Sequence, residues 1–159
     1  MPHAVPSPSS TRAPSARRRV RRGLPLLLVA VLALVASSCY PQENDLTGLV
    51  NANRRAYGLP EYQPNLYLYF KAAYHSADMA GARTTWHTNL AAGNPYAWRR
   101  LGENVGFIWS ADVHAMNAAY LASPPHRANL LDWGFQYVGV GVAFSSDGRM
   151  FTTEEFMQL

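Results

Sequence analysis

Apolar residues recur at helical spacing soon after residue 44, which predicts a first helix over residues 45–57. Gly58 follows that segment and is typical of the residue at which a helix ends. Pro60 and Pro64 then bracket a predicted turn. The residues at helical spacing are Leu46, Leu49 and Val50.

A second helix is predicted from Leu66 to about Gly81, with Asn65 as its N-cap. Its apolar residues form a single stripe, which we expect to face the core. His75 lies about half a turn away from that stripe, so we expect it at the surface. The stripe consists of Leu66, Phe70, Ala73, Ala77 and Ala80.

The pattern changes to strict alternation over residues 137–144, which predicts a β-strand. One face carries Val138, Val140, Val142 and Phe144. The other carries only Gly139, Gly141 and Ala143, so it allows another backbone or a ligand to approach closely. Asp147-Gly148 is typical of a hairpin turn, and residues 150–156 are predicted to form the returning strand.

The middle of the chain connects these two parts. Residues 82–100 are predicted to be irregular, and residues 102–109 form a short apolar stretch. Ser110 is the predicted cap of a helix over residues 111–122, whose inner face consists of Val113, Met116 and Tyr120. The helix ends at Ser123-Pro124-Pro125, because proline disfavours helix in the preceding residue. The order of elements predicts an α+β fold with a small antiparallel sheet.

The first 39 residues differ from the rest and are predicted to be a secretory signal peptide. A basic block at residues 17–22 precedes an apolar run at residues 24–36, which is too short for a membrane span of about 20 residues. An uncleaved N-terminal anchor is the alternative. Cys39, the single cysteine, directly follows that run and resembles the lipid-modified cysteine of bacterial lipoproteins. The alternative is a cleaved, freely secreted chain with a free thiol.

This division also decides what the charge means. The chain has a formal net charge of +4, but six of its fourteen basic residues and none of its ten acidic residues precede Cys39. The remaining segment, residues 40–159, therefore carries a formal charge of about −2, which argues against a nucleic-acid partner. Its length suits one domain with one hydrophobic core, and its fold contains no disulfide pair.

Candidate chemistry rests on His87, Glu103 and His126. Two imidazoles with a carboxylate can hold a divalent metal, often Zn²⁺, or act as an acid/base pair. The alternative is that each is a buried polar residue that holds loops together by hydrogen bonds. A nucleophilic mechanism is not indicated, because no Gly-x-Ser-x-Gly motif occurs. A hydrolase would instead need metal-assisted attack by water with Glu103 as the base.

Four sequence motifs place these residues in a specific context. They are Trp86-His87, Gly102-Glu103-Asn104-Val105, residues 123–131 (Ser-Pro-Pro-His-Arg-Ala-Asn-Leu-Leu) and Val138-Gly139-Val140-Gly141-Val142. In this order they resemble the CAP superfamily (cysteine-rich secretory proteins, antigen 5, pathogenesis-related 1), in its disulfide-free bacterial branch. The resemblance covers residues 44–157. It implies a three-layer α-β-α sandwich over residues 40–159, with His87 and His126 as the two cleft histidines and Glu103 as the glutamate of the Gly-Glu-Asn motif.

The chain departs from the family at one position. Many eukaryotic members have a second glutamate near the end of the helix before the second histidine, where this chain has Ala122 and Ser123. His114 and Asp112, on the same helix, are expected at the surface. The departure weakens any mechanism that needs two carboxylates.

The leader and the resemblance together predict an exported, monomeric protein of the cell envelope. The position of Cys39 predicts that lipid on this residue anchors it to the membrane. The resemblance implies that the protein would bind a small apolar or envelope-derived ligand, and a divalent metal such as zinc, in a cleft lined by His87, Glu103 and His126. The alternative is a metal-dependent, peptidase-like hydrolase that uses the same three residues as its catalytic site. A structural envelope lipoprotein with a relic cleft is a third reading, and whether the protein is an enzyme stays open.

Overall fold

A computed structural model describes residues 41–159 of the protein. The predicted signal peptide and Cys39 lie outside the described residues. Within them the chain forms four helices and four strands. The helices are α1 (Pro41–Ala56), α2 (Leu66–Ala82), α3 (Val113–Ala122) and α4 (Pro124–Leu130), and the strands are β1 (Gln63–Pro64), β2 (Arg100–Ile108), β3 (Tyr137–Phe144) and β4 (Met150–Gln158).

The four strands form one sheet in the order β1-β3-β4-β2. Strands β3, β4 and β2 are antiparallel, whereas β1 runs parallel to β3. Helix α2 packs on one face of the sheet, and α1, α3 and α4 cover the other. This arrangement confirms the predicted α+β fold and its three layers. Among residues 41–159, no helix has the length and apolar character that crossing a membrane requires.

The larger hydrophobic core lies between the sheet and helices α1, α3 and α4. It includes the predicted inner face of α3, which is Val113, Met116 and Tyr120, and it contacts Val138 and Val140 of β3. The predicted alternation of β3 therefore places its valines toward this core.

The opposite face of β3 confirms the expected close backbone approach. A Cβ atom at Gly139 would lie 2.1 Å from the carbonyl carbon of Leu68, and one at Gly141 would lie 2.2 Å from the carbonyl oxygen of Ala72. Real Cβ atoms do not come so close to backbone atoms. The two glycines therefore allow α2 to lie directly on the sheet.

This close packing makes our prediction for the buried face of α2 wrong. Leu66 and Phe70 are 69% and 49% exposed. The helix is instead rotated so that Leu68 lies over Gly139 and Ala72 over Gly141. Its buried apolar residues are Leu68, Ala72, Met79 and Ala80.

The prediction that His75 lies at the surface is also wrong, since this residue is only 5% exposed. Its Nε2 lies 2.7 Å from the carbonyl oxygen of Trp86 and donates a hydrogen bond to it. The edge of the imidazole also contacts the indole of Trp86. The connection between α2 and β2 therefore covers a side of α2 that helical periodicity alone assigns to solvent.

Two local features differ from prediction, and α3 ends before Ser123-Pro124-Pro125 as predicted. The segment expected to be a turn near Pro64 contains the short strand β1. The cap of α3 is Asp112 instead of Ser110, because the Asp112 side chain accepts a hydrogen bond from the backbone N–H of His114. Pro124 both follows α3 and begins α4, since the first turn of a helix does not need the N–H that proline lacks.

Candidate functional site

Glu103 lies in the middle of β2, at one edge of the sheet. It is directly opposite Glu155 of β4, so both side chains point to the α2 side of the sheet. Glu103 is buried, at 6% exposure, although its strand is an edge strand. The connection between α2 and β2 supplies its cover.

That connection also brings His87 to Glu103. The Nδ1 atom of His87 lies 2.6 Å from Oε1 of Glu103. The same oxygen accepts a hydrogen bond from the backbone N–H of Thr88 at 3.0 Å, and Oε2 accepts one from the Thr88 hydroxyl at 2.8 Å. Both carboxylate oxygens are therefore used. Because a carboxylate only accepts, Nδ1 of His87 carries a hydrogen, and the Nε2 of the neutral ring is left as a lone-pair donor.

His126 reaches the same edge of the sheet from the other face, in the first turn of α4. Its ring packs against Tyr120, with 4.9 Å between the ring centroids, and its carbonyl oxygen accepts a hydrogen bond from Asn104. Burial lowers the pKa of His126, and the nearby His87 lowers it further. A pKa lowered in this way favours the neutral imidazole of His126 at pH 7.

The exposure of the two imidazoles differs. The side chain of His87 is 64% exposed, whereas His126 is half-buried. His87 and Glu103 are in direct contact, and His126 follows on α4, whose Asn129 bonds to the backbone of Glu103. The three sequence-predicted residues therefore lie in one region of the molecule, at the open edge of the sheet.

Two asparagines join α4 to this edge strand. Asn129 donates hydrogen bonds to the carbonyl oxygen of Glu103 and to the side-chain oxygen of Asn104, at 3.2 and 2.9 Å. Asn104 donates to His126 and, at 2.9 Å, to Oε2 of Glu154. Burial raises the pKa of Glu154 to about 7. This network holds the backbone of His126 in place relative to Glu103.

Sequence reasoning missed a second carboxylate at the site, Glu155. Its Oε2 accepts a hydrogen bond from Nζ of Lys71 at 3.1 Å, and burial raises its pKa to about 7. The sequence does contain a signal, because Glu154-Glu155 interrupts an otherwise uncharged strand. Adjacent residues of a strand point to opposite faces, so only Glu155 lies on the side of Glu103.

The two other candidate residues, Asp112 and His114, take no part in these contacts. Asp112 and His114 are exposed on α3, as predicted. Within residues 41–159, no group of three or more histidine, cysteine, aspartate or glutamate side chains is arranged to hold a metal ion. The two residues at the site with imidazole nitrogens that could serve as metal ligands are His87 and His126.

The cavities lie elsewhere in the fold. One of about 290 Å³ lies between the start of α1, strand β3 and the start of α2, with Glu43 at its wall and apolar contacts from Leu66, Tyr69 and Val138. Another, of about 380 Å³, lies along α4 beside Leu121 and Arg127. The linings of both cavities lack His87, Glu103 and His126. The site at the sheet edge is therefore separate from these two spaces.

Several solved structures of bacterial proteins share this fold. An outer surface protein of Borrelia burgdorferi matches with a TM-score of 0.64 and 16% identity, over 74% of this chain and 92% of that one. An extracellular protein of Bacillus anthracis with an SCP domain matches with a TM-score of 0.62 and 25% identity, over 75% of this chain and 41% of its own. A cysteine-rich secretory protein of Staphylococcus aureus matches with a TM-score of 0.63 and 20% identity, over 75% and 39%.

The sequence itself gives the family. The pattern of the CAP family, described as the cysteine-rich secretory protein family, matches residues 47–156, and the chain belongs to this family. This confirms the resemblance carried by the four sequence motifs. No curated protein matches the chain. The chain spans about two fifths of the B. anthracis and S. aureus proteins.

Proposed function

We propose that this CAP-domain protein is an exported binding protein that holds a divalent metal, such as zinc, between His87 and His126. The observation that carries the proposal is the contact of His87 Nδ1 with Glu103, which directs the other ring nitrogen to a ligand. The lowered pKa of His126 keeps its imidazole neutral, which metal binding requires. Glu103 then acts on the metal through His87.

The use of both Glu103 oxygens favours binding over hydrolysis. A general base must accept a proton from an attacking water, and Glu103 already accepts hydrogen bonds from His87 and Thr88. Glu155 is nearby, but it is paired with Lys71. Both carboxylates are therefore already engaged by the protein's own donors, which supports a positioning role for Glu103 more than the role of a base.

Two relatives support the proposed location. The B. burgdorferi protein is an outer surface protein and the B. anthracis protein is extracellular. Together with the predicted signal peptide, they support export of this chain. The proposed membrane anchor, lipid on Cys39, rests on the sequence alone. The proposed small apolar ligand fits the cavity beside Leu66, Tyr69 and Val138 better than it fits the polar sheet edge. We propose that the protein acts as a monomer.

Zinc titration by calorimetry of the protein, purified in its exported form, tests the metal site. We expect one bound zinc per chain in the wild type, and a loss of at least tenfold in affinity in the His87→Ala/His126→Ala double variant. His114→Ala is the matched control, because it removes an exposed histidine outside the site. Equal affinity in the wild type and the double variant would contradict the proposal, as would a folded wild type that binds no zinc.

A further inference from the structure

A buried ion pair lies behind the contact between His87 and Glu103. Lys71 of α2 and Glu155 of β4 are joined at 3.1 Å, and their side chains are only 16% and 2% exposed. Helix α2 and strand β4 are far apart in sequence, so this pair connects two layers of the sandwich. Burying two charged groups costs desolvation free energy, so apolar packing does not explain why this pair is buried.

Lys71 makes a second contact that connects the pair to the site. Its Nζ also donates to the carbonyl oxygen of Leu90 at 3.1 Å. Leu90 lies only two residues after Thr88, which binds both oxygens of Glu103. One ammonium group therefore ties the connection that carries His87 and Thr88 to strand β4.

Charge gives the pair a second effect on the site. Glu103 and Glu155 lie opposite each other on one face of the sheet, and like charges at such a position repel. The Thr88 hydroxyl bonds to Glu103, and it also faces Glu155, whose pKa it lowers. The positive charge of Lys71 offsets part of this repulsion, so that the two carboxyl side chains can lie side by side on the sheet.

We infer that Lys71 and Glu155 are positioning residues for His87, acting through Leu90, Thr88 and Glu103. This inference rests on the proposed function in one respect, because fixing His87 is useful only if its imidazole binds a ligand. The pair supplies a second carboxylate from β4, where many eukaryotic relatives are expected to supply one from the helix before the second histidine.

The tautomer of His87 gives a readout that a merely structural role would not change. In the metal-free wild type at about pH 8, ¹⁵N NMR of the imidazole should show mainly the Nδ1–H form. Lys71→Met removes the hydrogen bond to Leu90 and the positive charge beside the two carboxylates. The His87 population should then shift toward the Nε2–H form that free histidine prefers. Zinc affinity should fall about tenfold or more. Lys71→Arg should restore both quantities in large part.

Ser76→Ala is the matched control. Ser76 lies on the same helix and also joins α2 to β4, through Thr153, but it does not contact the connection that carries His87. Its loss should reduce stability without changing the tautomer. Glu155→Gln keeps the shape of the side chain and serves as a second variant, with a smaller shift in the same direction, if Lys71→Met does not fold.

The outcomes separate this inference from the proposed function. An unchanged His87 tautomer in the folded Lys71→Met or Glu155→Gln variant would overturn the positioning role. A tautomer shift in those variants, together with a wild type that binds no zinc, would uphold the positioning role and overturn the metal site. A shift of equal size in Ser76→Ala would reduce the pair to a general structural contact and would also overturn the inference.

Discussion

The two faces of the sheet are held by different physical means. On the face of α1, α3 and α4, large side chains such as Phe156, Tyr120 and Met150 fill a continuous core. On the α2 face the apolar cluster is small, and the helix lies almost in contact with the strand backbone. Buried polar contacts, such as those of Ser76 and Lys71, complete that interface. Because α2 lies so close to the strands, few large apolar side chains fit between them. Polar contacts therefore do more to fix the position of α2 on the sheet.

The largest expected effect tests the close approach itself. Gly139→Ala would place a Cβ 2.1 Å from a backbone carbon of α2, which cannot move without displacing the helix. We expect the free energy of unfolding to fall by more than about 4 kcal/mol, at the exceptional end for one substitution, or the chain not to fold. Urea unfolding followed by circular dichroism measures this change.

Gly48→Ala is the matched control for that substitution. Gly48 lies in helix α1, and an added Cβ would meet no atom within 4 Å. Alanine should therefore stabilise the protein by about 0.5–1 kcal/mol, since glycine is the poorer helix former. A Gly139→Ala variant as stable as the wild type would show that α2 is not seated on the glycines.

The next largest effect is the pH dependence of stability that Glu154 causes on the core side of the sheet. Glu154 is fully buried on the core side, its Oε1 has no hydrogen-bond partner among the described residues, and burial raises its pKa to about 7. A group whose pKa is higher in the folded state than in the unfolded state stabilises the fold at low pH. That contribution is lost as the pH rises from about 4.5 to about 7.

We therefore expect Glu154→Gln to gain stability relative to the wild type as the pH rises from 5 to 8, by up to about 3 kcal/mol. Urea unfolding of both proteins at the two pH values gives the difference, in which groups common to both proteins cancel. His126 is one such group, and its lowered pKa acts in the opposite direction. A difference that stays constant with pH would mean that Glu154 titrates normally in the folded protein.

The sequence predicted features that depend on neighbouring residues, such as a strand pattern or a motif. It missed features that depend on contacts between distant segments. The alternation of β3 announces both its valine face and its glycine face, and both are confirmed. The motifs around His87, Glu103 and His126 identified the family. In contrast, Lys71 and Glu155 are 84 residues apart, and nothing near either residue reports the other. The rotation of α2 has the same origin, because the glycines of β3 decide which of its residues fit.

The smallest expected effect concerns that rotation. Leu66 is the first residue of the apolar stripe that periodicity assigns to the core, yet it is 69% exposed, whereas Leu68 is fully buried. Leu66→Ala should change the free energy of unfolding by less than about 0.5 kcal/mol, as surface substitutions do. Leu68→Ala should lower it by about 2–5 kcal/mol, because it leaves a cavity above Gly139. Both values come from urea unfolding, and a larger loss at Leu66 than at Leu68 would mean that α2 packs through its bulky stripe after all.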